Sequence, residues 1–248
     1  INKKNKIPYL IYLHDSEYKK IPGSFIGFGY NKIKKSLLDS KIIVTNSKRT
    51  SYKLESEYGI NDTITIYPGC HPLKKINNER QNFLLFVHFI APISSFYFLA
   101  KFLKNNTKIR LVIVGGRRYG WKKIYDYYKR FGDRVRFIFE ADEELLQQIY
   151  SKAKAVVVPE SENFGLVPLE AAACGCPSIV AREAGVTEIF DVGKEILTFK
   201  EGDMSEFEEK VQLLEDLKFS RKIGTNAWKK AKKYSWDIHI KKLKKILG

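Results

Sequence analysis

The sequence contains little sulfur, and this restricts the kinds of site that it can build. Of its 248 residues one is methionine and three are cysteine, namely Cys70, Cys174 and Cys176. Three cysteines cannot all pair within one chain, and their spacings match no zinc-binding pattern. We therefore expect reduced, mostly buried thiols and no metal site.

The sequence also lacks any long apolar run. No segment approaches the roughly 18 consecutive apolar residues that a membrane-spanning helix needs, and the opening INKKNK does not lead into a signal peptide. Hydrophobic residues nevertheless make up 44% of the chain, enough for one large core or two smaller ones. We expect a folded, cytoplasmic protein.

Acidic residues are far fewer than basic ones, 28 against 44, and the formal net charge is +16. Such a charge attracts phosphates, nucleic acids or an anionic membrane surface. No zinc finger, RNA-recognition signature or Gly-X-X-Gly clamp accompanies it, so nucleic-acid binding is not expected. The lysine-rich ends suit peripheral contact with the anionic inner membrane face, and solvated helix faces are the alternative interpretation.

Short apolar runs alternate with helical patterns along most of the chain. The segment SKRTSYKLESEYGI predicts a helix that Ser47 opens and Gly59 closes, between two apolar runs that read as strands. Strand, helix and strand in this order imply a parallel sheet. The polar segment 72–80 predicts a domain boundary, after which the alternation starts again. We predict an α/β fold with a short domain over 1–76 and a doubly wound domain over 77–232.

The stretch PESENFGLVPLEAAACGCP, residues 159–177, holds two acids eight positions apart, Glu162 and Glu170. Pro168 suits a first helical position and Gly175 a helix end, which predicts a short helix with Glu170 in its first turn. A carboxylate accepts two hydrogen bonds from vicinal hydroxyls, as on a ribose or a sugar. The alternative is that Glu170 complements the helix dipole and Glu162 is a solvated loop residue.

The pattern E-x7-E with F-G-L inside it, followed by L-E-A-x-A-C-G-x-P, resembles the donor-site signature of retaining GT-B glycosyltransferases of family 4. The segments AGVTEI (184–189), YSWD (234–237), YLHD and YPGCHP are similar to further parts of that family's sequence. The resemblance covers nearly the whole chain. It implies a GT-B-like fold, with two Rossmann-type domains facing a cleft and a last helix, 233–248, that crosses back to the first domain.

Carried over residue by residue, the resemblance implies a donor site. Glu170 binds the donor ribose, Glu162 contacts the transferred sugar or its developing positive charge, and His14 reaches across the cleft to the sugar. The backbone of residues 139–141 meets the base. Backbone N–H groups at the helix start, those of Phe164, Gly165 and Leu166, hold the diphosphate or sugar. The strand end VIVGG supplies two further donor-binding residues, Gly115 and Gly116.

The implied activity is transfer of a sugar, with retention and without metal or cofactor. The donor is a nucleotide sugar such as a UDP- or GDP-sugar, and the acceptor is a lipid-linked or cell-surface glycan. Such enzymes stabilise the leaving diphosphate with protein cations and helix dipoles.

The segment LLFVHFIAPISS departs from the family, which has the pattern G-R-x-x-x-x-K there. In this chain His88 stands in place of the glycine, Phe89 in place of the arginine and Ser94 in place of the lysine. Loss of such cations lowers a rate by roughly two or more powers of ten per donor. Arg117 and Arg118 are candidate replacements, with solvated loop cations as the alternative, and Ser94 at a helix start is a further donor-binding candidate. The departure leaves a second hypothesis, a catalytically impaired module that binds a nucleotide sugar or a partner protein.

The first domain is also shorter than the family's. Only residues 1–76 precede the boundary, the glycine-rich first turn of the family is not visible, and the first residue is Ile. A full acceptor domain needs about 100 residues or more. We therefore expect a short or truncated N-terminal domain.

Overall fold

The computed structural model describes residues 10–13, 35–74, 76 and 79–247. Within these ranges the strands form two parallel sheets, one of three strands and one of six. No helix in the described ranges is both long and apolar enough to cross a bilayer.

The three-stranded sheet has the order β1-β2-β3, and a helix connects its second and third strands. The Ser47 hydroxyl accepts the Thr50 backbone N–H at 3.0 Å, and Gly59 ends the helix in the left-handed conformation at φ 69°. The predicted helix from Ser47 to Gly59 is thus confirmed. The elements are β1 (Leu10–Leu13), β2 (Ile42–Thr45), α1 (Lys48–Tyr58) and β3 (Ile64–Thr65).

The six-stranded sheet has the order β6-β5-β4-β7-β8-β9, with every pair parallel. Its strands are β4 (Phe83–Val87), β5 (Arg110–Val114), β6 (Val135–Ile138), β7 (Ala155–Val158), β8 (Ser178–Ala181) and β9 (Leu197–Phe199). Its helices are α2 (Ser94–Asn105), α3 (Trp121–Tyr128), α4 (Glu143–Lys152), α5 (Leu166–Ala173), α6 (Met204–Leu213) and α7 (Leu217–Ala231), followed by α8 (Trp236–Leu247). Two 3₁₀ helices cover Lys129–Arg134 and Gly185–Glu188.

Both faces of this sheet are covered, as a doubly wound domain requires. In β7 the neighbours Val156 and Val157 are fully buried but belong to two different apolar clusters. Successive strand residues point to opposite faces, so a continuous apolar run such as AVVV indicates helices on both sides. The predicted α/β class is confirmed.

The centre of this sheet contains the point where the strand order reverses. β4 and β7 are neighbours, while the chain runs outward from β4 through β5 to β6 and from β7 through β8 to β9. The loops that leave β4 and β7 at their carboxyl ends therefore diverge and open a crevice, where ligands bind in such sheets. These loops begin at His88 and Pro159.

Two helices and a strand differ from the sequence predictions. Helix α5 begins at Leu166 rather than Pro168, so Glu170 lies in its second turn, not its first. Strand β9 and helix α7 were not predicted.

The chain passes between the two sheets twice, and both passages lie together. The Cys70 backbone N–H donates to the Tyr234 carbonyl at 2.8 Å, and a Cβ at Gly69 would collide with the backbone of Trp236. Helix α8 then contacts the first sheet's domain, because His239 Nδ1 is 2.9 Å from the Tyr67 carbonyl. The domain limits at 76 and 232 stay predictions.

Candidate functional site

A cavity of about 480 Å³ lies at the carboxyl ends of β4 and β7. Most of its lining comes from the loop between β7 and α5 and the start of α5, and Asn46, the residue after β2, lines it from the first sheet. It is therefore a cleft between the two sheets. The lining residues are Asn46, His88, Glu160, Ser161, Glu162, Asn163, Phe164, Gly165, Leu166 and Val167.

The Glu162 carboxylate is a half-buried acid of this cavity. Burial raises the pKa of Glu162 and the Glu160 carboxylate raises it further, while His88 lowers it. Gly165 packs beside the carboxylate in a left-handed conformation, φ 89°, and a Cβ there would lie 3.2 Å from Glu162 Oε2. The left-handed backbone favours glycine at 165, and any larger residue there would displace the Glu162 carboxylate slightly.

The loop that carries Glu162 rests on the AGVTEI segment. The Gly185 N–H donates to the Glu162 carbonyl at 3.0 Å, and the Val186 N–H donates to the Phe164 carbonyl at 2.6 Å. A Cβ at Gly185 would collide with the Asn163 carbonyl. This close backbone packing against the AGVTEI segment fixes the position of the loop that carries Glu162.

The first sheet's domain holds the same loop from the other side. The Ser47 hydroxyl donates to the Asn163 carbonyl at 2.6 Å, and Lys53 Nζ donates to Asn163 Oδ1 at 2.6 Å. Both donors come from the start and middle of α1. Asn163, between Glu162 and Phe164, is therefore the point where the two halves of the chain meet at the cavity.

A second contact between the halves is made by Glu188. Its carboxylate accepts the backbone N–H groups of Lys48 and Arg49, each at 2.8 Å, and the Tyr67 hydroxyl at 3.0 Å. Burial and the Glu188 carboxylate raise the pKa of Tyr67, so the phenol stays a hydrogen-bond donor. Glu188, which follows a strand of the six-stranded sheet, thus caps α1, which belongs to the three-stranded sheet.

Glu170 lines a separate pocket of about 330 Å³, formed by α4, α5, α8 and the chain between the sheets. The Tyr150 hydroxyl donates to Glu170 Oε2 at 2.9 Å. Burial raises the pKa of Glu170, the Tyr150 hydrogen bond lowers it, and the Glu143 carboxylate raises it. The lining residues are Cys70, His71, Glu143, Leu146, Gln147, Tyr150, Glu170, Ala173, Cys174 and Trp236.

The amino end of α2 is occupied by a carboxylate of the chain itself. Glu160 Oε1 accepts both the Ser94 hydroxyl and the Ser95 backbone N–H. This helix start is where an external anion would bind. In this structure Ser94 therefore bonds to Glu160, and its role as a donor-binding residue stays a prediction.

The loops after β4 and β5 pack against each other beside the cavity. The His88 N–H donates to the Val114 carbonyl at 3.0 Å, and the Ile90 N–H to the Gly116 carbonyl at 2.9 Å. A Cβ at Gly115 would collide with the His88 carbonyl. Gly115 and Gly116 thus allow the two loops to approach closely, and neither lines the two cavities described above.

The two arginines of this region stack on aromatic rings. The Arg117 guanidinium lies 5.0 Å from the Trp121 ring and 4.3 Å from the Phe139 ring. The Arg118 guanidinium lies 4.2 Å from the Phe89 ring. Neither guanidinium lines the two cavities.

The structure brings part of the predicted site together. Glu162, Phe164, Gly165 and Leu166 line one cavity, and Glu170 lines the other. His14 lies outside the described residues. Asn46 lines the cavity but was not predicted from the sequence. Its position directly after a buried strand, at the sheet edge where ligands bind, is the signal that could have identified it.

Metal ligands are not clustered in the described part of the chain, where no group of three or more His, Cys, Asp or Glu side chains is placed to hold an ion. The three cysteines are buried and unpaired with one another, as expected from the sequence. Burial raises the pKa of Cys70 and of Cys174 to about 12.

Relatives of this chain are glycosyltransferases. An uncharacterized glycosyltransferase of Methanocaldococcus jannaschii is 26% identical over 249 residues, which cover 99% of this chain and 70% of that protein. A D-inositol 3-phosphate glycosyltransferase of Corynebacterium jeikeium is 36% identical over 116 residues, 45% of this chain and 27% of that protein. The chain thus spans about a quarter of the length of the second relative.

Solved structures share the fold along almost the whole chain. Sucrose-phosphate synthase from Thermosynechococcus elongatus matches with a TM-score of 0.82 at 21% identity, over 96% of this chain and 66% of that one. Anabaena HepE in complex with UDP and glucose matches with a TM-score of 0.77 at 20% identity, over 97% of this chain and 71% of that one. The predicted GT-B-like arrangement of two Rossmann-type domains is confirmed.

The model of the family described as "Glycosyl transferases group 1" matches residues 72–230, which is more than half of the chain. The matched range contains both Glu162 and Glu170 and the strand ends that form the crevice. The chain therefore belongs to the glycosyl transferases group 1 family.

Proposed function

We propose that this protein transfers a sugar, with retention and without a metal ion, from a nucleotide sugar to an acceptor hydroxyl. The observation that carries the proposal is that both acids of the E-x7-E pattern are half-buried and line cavities, in a chain of this family. Glu162 lines the strand-end cavity and Glu170 lines the pocket beside α4. Withdrawing a carboxylate from water costs free energy unless it is paired or hydrogen-bonded, and acids in such surroundings cluster at functional sites.

Glu170 is the proposed ribose ligand. Its carboxylate is oriented by the Tyr150 hydroxyl, which occupies Oε2 at 2.9 Å. A carboxylate oxygen has more than one lone-pair site, so Glu170 accepts hydrogen bonds from ribose hydroxyls without losing Tyr150. The base then lies beside the start of α4, near the loop 139–141.

Glu162 is the proposed partner of the transferred sugar. When the bond from the anomeric carbon to the diphosphate oxygen breaks, its electron pair leaves with the diphosphate and positive charge develops on the sugar. A carboxylate fixed in a buried position stabilises that charge more strongly than water does. The acceptor oxygen bonds to the same face of the carbon, and its proton passes to the leaving diphosphate, which gives retention.

The donor and acceptor classes are further proposals. The HepE structures contain UDP with glucose and UDP-glucose, which makes UDP-sugars the first donors to test and GDP-sugars the second. The proposed acceptor is a lipid-linked or cell-surface glycan at an anionic membrane face. The exposed lysines of α8 support this, because they form a cationic surface at one end of the chain; they are Lys241, Lys242, Lys244 and Lys245.

The alternative, a module that binds a nucleotide sugar without turnover, is not favoured. The relatives named above are transferases. A transfer assay also separates the two hypotheses directly, because a binding module would retain the donor unchanged.

The test is transfer from UDP-, GDP- and ADP-sugars to a panel of acceptors, with donor binding measured in parallel. We expect Glu162→Gln to lower kcat by about 100-fold or more with a nearly unchanged donor Kd, and Glu170→Gln to weaken donor binding. Glu144→Gln is the matched control, since Glu144 is an exposed acid that lines neither cavity. Absence of nucleotide-sugar binding by the wild-type chain would refute the function, and full turnover by Glu162→Gln would refute the role of Glu162.

A further inference from the structure

The strand-end cavity has an unbalanced charge. The lining residues that the structure describes include the carboxylates of Glu160 and Glu162 but no lysine or arginine, and His88 is the one basic side chain among them. A nucleotide-sugar donor brings a diphosphate with about two negative charges to this edge. Binding it requires a cation or a set of N–H donors near the strand ends.

The start of α2 does not supply this counter-charge. At α2 the Ser94 hydroxyl and the Ser95 N–H are already bonded to Glu160. An anion is therefore present at that helix start before any ligand arrives. The neighbouring loop, which leaves β5, carries two arginines that can offset the charge of the diphosphate.

Arg118 in that loop packs on the loop that leaves β4. Its guanidinium stacks on the Phe89 ring at 4.2 Å, and its backbone N–H donates to the Ile90 carbonyl at 3.1 Å. Phe89 is the neighbour of His88, whose ring lines the cavity, and the two rings are 6.4 Å apart. Arg118 is thus held on the ring that directly follows the lining residue His88, and we call this position the rim of the cavity.

The Phe89 ring is both exposed and supported. Its side chain is 53% exposed, and a Cβ at Gly116 would lie 3.6 Å from the ring, so the backbone of the β5 loop packs against it. A guanidinium stacked on a ring keeps its N–H donors in its own plane, free for a phosphate. Among the described residues no carboxylate forms an ion pair with Arg118.

The neighbouring Arg117 differs in its surroundings. Its guanidinium contacts two rings, Trp121 and Phe139, and Phe139 follows β6 rather than β4. It is therefore held on the side of the loop toward β6. This makes Arg117 a matched control of equal charge, one position away.

We propose that Arg118, held on the ring of Phe89, is the cation that binds the donor diphosphate. This inference rests on the proposed function, because it concerns the donor of that reaction. Arg118 contacts the phosphate oxygens, and Phe89 is a positioning residue that acts through Arg118. The family has an arginine at the position of Phe89. In this chain Phe89 instead holds Arg118, the arginine that follows the next strand, β5.

The test compares ligands that differ only in the number of phosphates, namely uridine, UMP and UDP and the corresponding guanosine compounds. Their binding to the wild-type chain and to its variants is measured by calorimetric titration. We expect Arg118→Ala to weaken diphosphate binding by about 10- to 100-fold and to leave nucleoside binding unchanged. Arg117→Ala should change diphosphate binding by less than about threefold. Phe89→Ala should weaken diphosphate binding although the charge remains, and Phe89→Tyr should retain it.

A charge-relocation variant completes the experiment. In the double variant Phe89→Arg with Arg118→Ala a guanidinium returns to the same rim, and we expect part of the diphosphate affinity to be restored. Wild-type affinity in Arg118→Ala, or equal losses for nucleoside and diphosphate, would overturn the inference while the proposed function stood. If the wild-type chain binds neither nucleoside nor diphosphate, the proposed function itself fails.

Discussion

Glu188 and Lys48 are 140 positions apart in the chain, and Glu188 Oε2 accepts the Lys48 backbone N–H at 2.8 Å. The other oxygen of the same carboxylate accepts the Arg49 N–H. A carboxylate at a helix start satisfies otherwise unpaired N–H groups and interacts favourably with the helix dipole. One side chain therefore stabilises α1 and joins the two halves of the cleft.

We predict that Glu188→Ala lowers the free energy of unfolding by about 1–2 kcal/mol, because it removes both hydrogen bonds from the start of α1. Urea unfolding followed by circular dichroism measures the change. Glu55→Ala, which removes an exposed carboxylate from the same helix, should stay within about 0.5 kcal/mol of the wild type. Equal effects of the two substitutions would contradict the capping role.

We predict that Gly165→Ala lowers both stability and transfer, since the new Cβ would lie 3.2 Å from Glu162 Oε2 at a backbone φ of 89°. Gly59→Ala is the control, because Gly59 is also left-handed but a Cβ there meets nothing within 4 Å. Both variants should lose about 1–2 kcal/mol of unfolding free energy. Only Gly165→Ala should reduce the initial transfer rate, by about tenfold or more.

The raised pKa of Glu162 predicts a pH-dependent stability effect. Because burial favours the protonated form in the folded chain, the contribution of Glu162 to stability falls as the pH rises from the ordinary glutamate pKa through the folded-state pKa. Glu162→Gln should therefore raise the melting temperature at about pH 8, and this gain should disappear at about pH 4. Thermal unfolding at both pH values tests this, and a less stable Glu162→Gln variant at about pH 8 would contradict it.

The buried thiols should be unreactive in the native chain. Burial raises the pKa of Cys70 and Cys174 to about 12 and that of Cys176 to about 11, so only about one thiol in a thousand or fewer is ionised at about pH 8. We expect slow reaction with a disulfide reagent until denaturant is added, and then three equivalents per chain. Rapid labelling of the folded chain would show that a thiol is accessible.

Much of the fold follows from local signals in the sequence. Ser47 and Gly59 determine the ends of α1 because a hydroxyl cap and a left-handed glycine act within one turn. Helix α7 had a comparable signal, since Asp216 accepts the N–H groups of Lys218 and Phe219, and Ile223 and Ala227 follow at helical spacing. Strand β9 has three residues, too few for an alternating pattern to be visible.

The site was only partly predictable, because its decisive contacts are not local. The spacing of Glu162 and Glu170 indicated two functional carboxylates, but their separation into two cavities depends on Cys70 and His71, which line one of them. The contact of Glu160 with Ser94 joins positions 66 apart. Neither hydrophobic periodicity nor a capping residue predicts such a contact. It forms because the two strands that precede these residues, β4 and β7, are neighbours in the sheet.

The two passages of the chain between the sheets meet at Gly69 and Trp236, so the two connections form one seam. The pocket of Glu170 is lined by Cys70 and Trp236, which belong to this seam. The cavity of Glu162 is lined instead by Asn46, which follows a strand of the first sheet. The two acids of the E-x7-E pattern therefore differ in mechanical position, because one adjoins the covalent connections between the sheets and the other faces the gap between them.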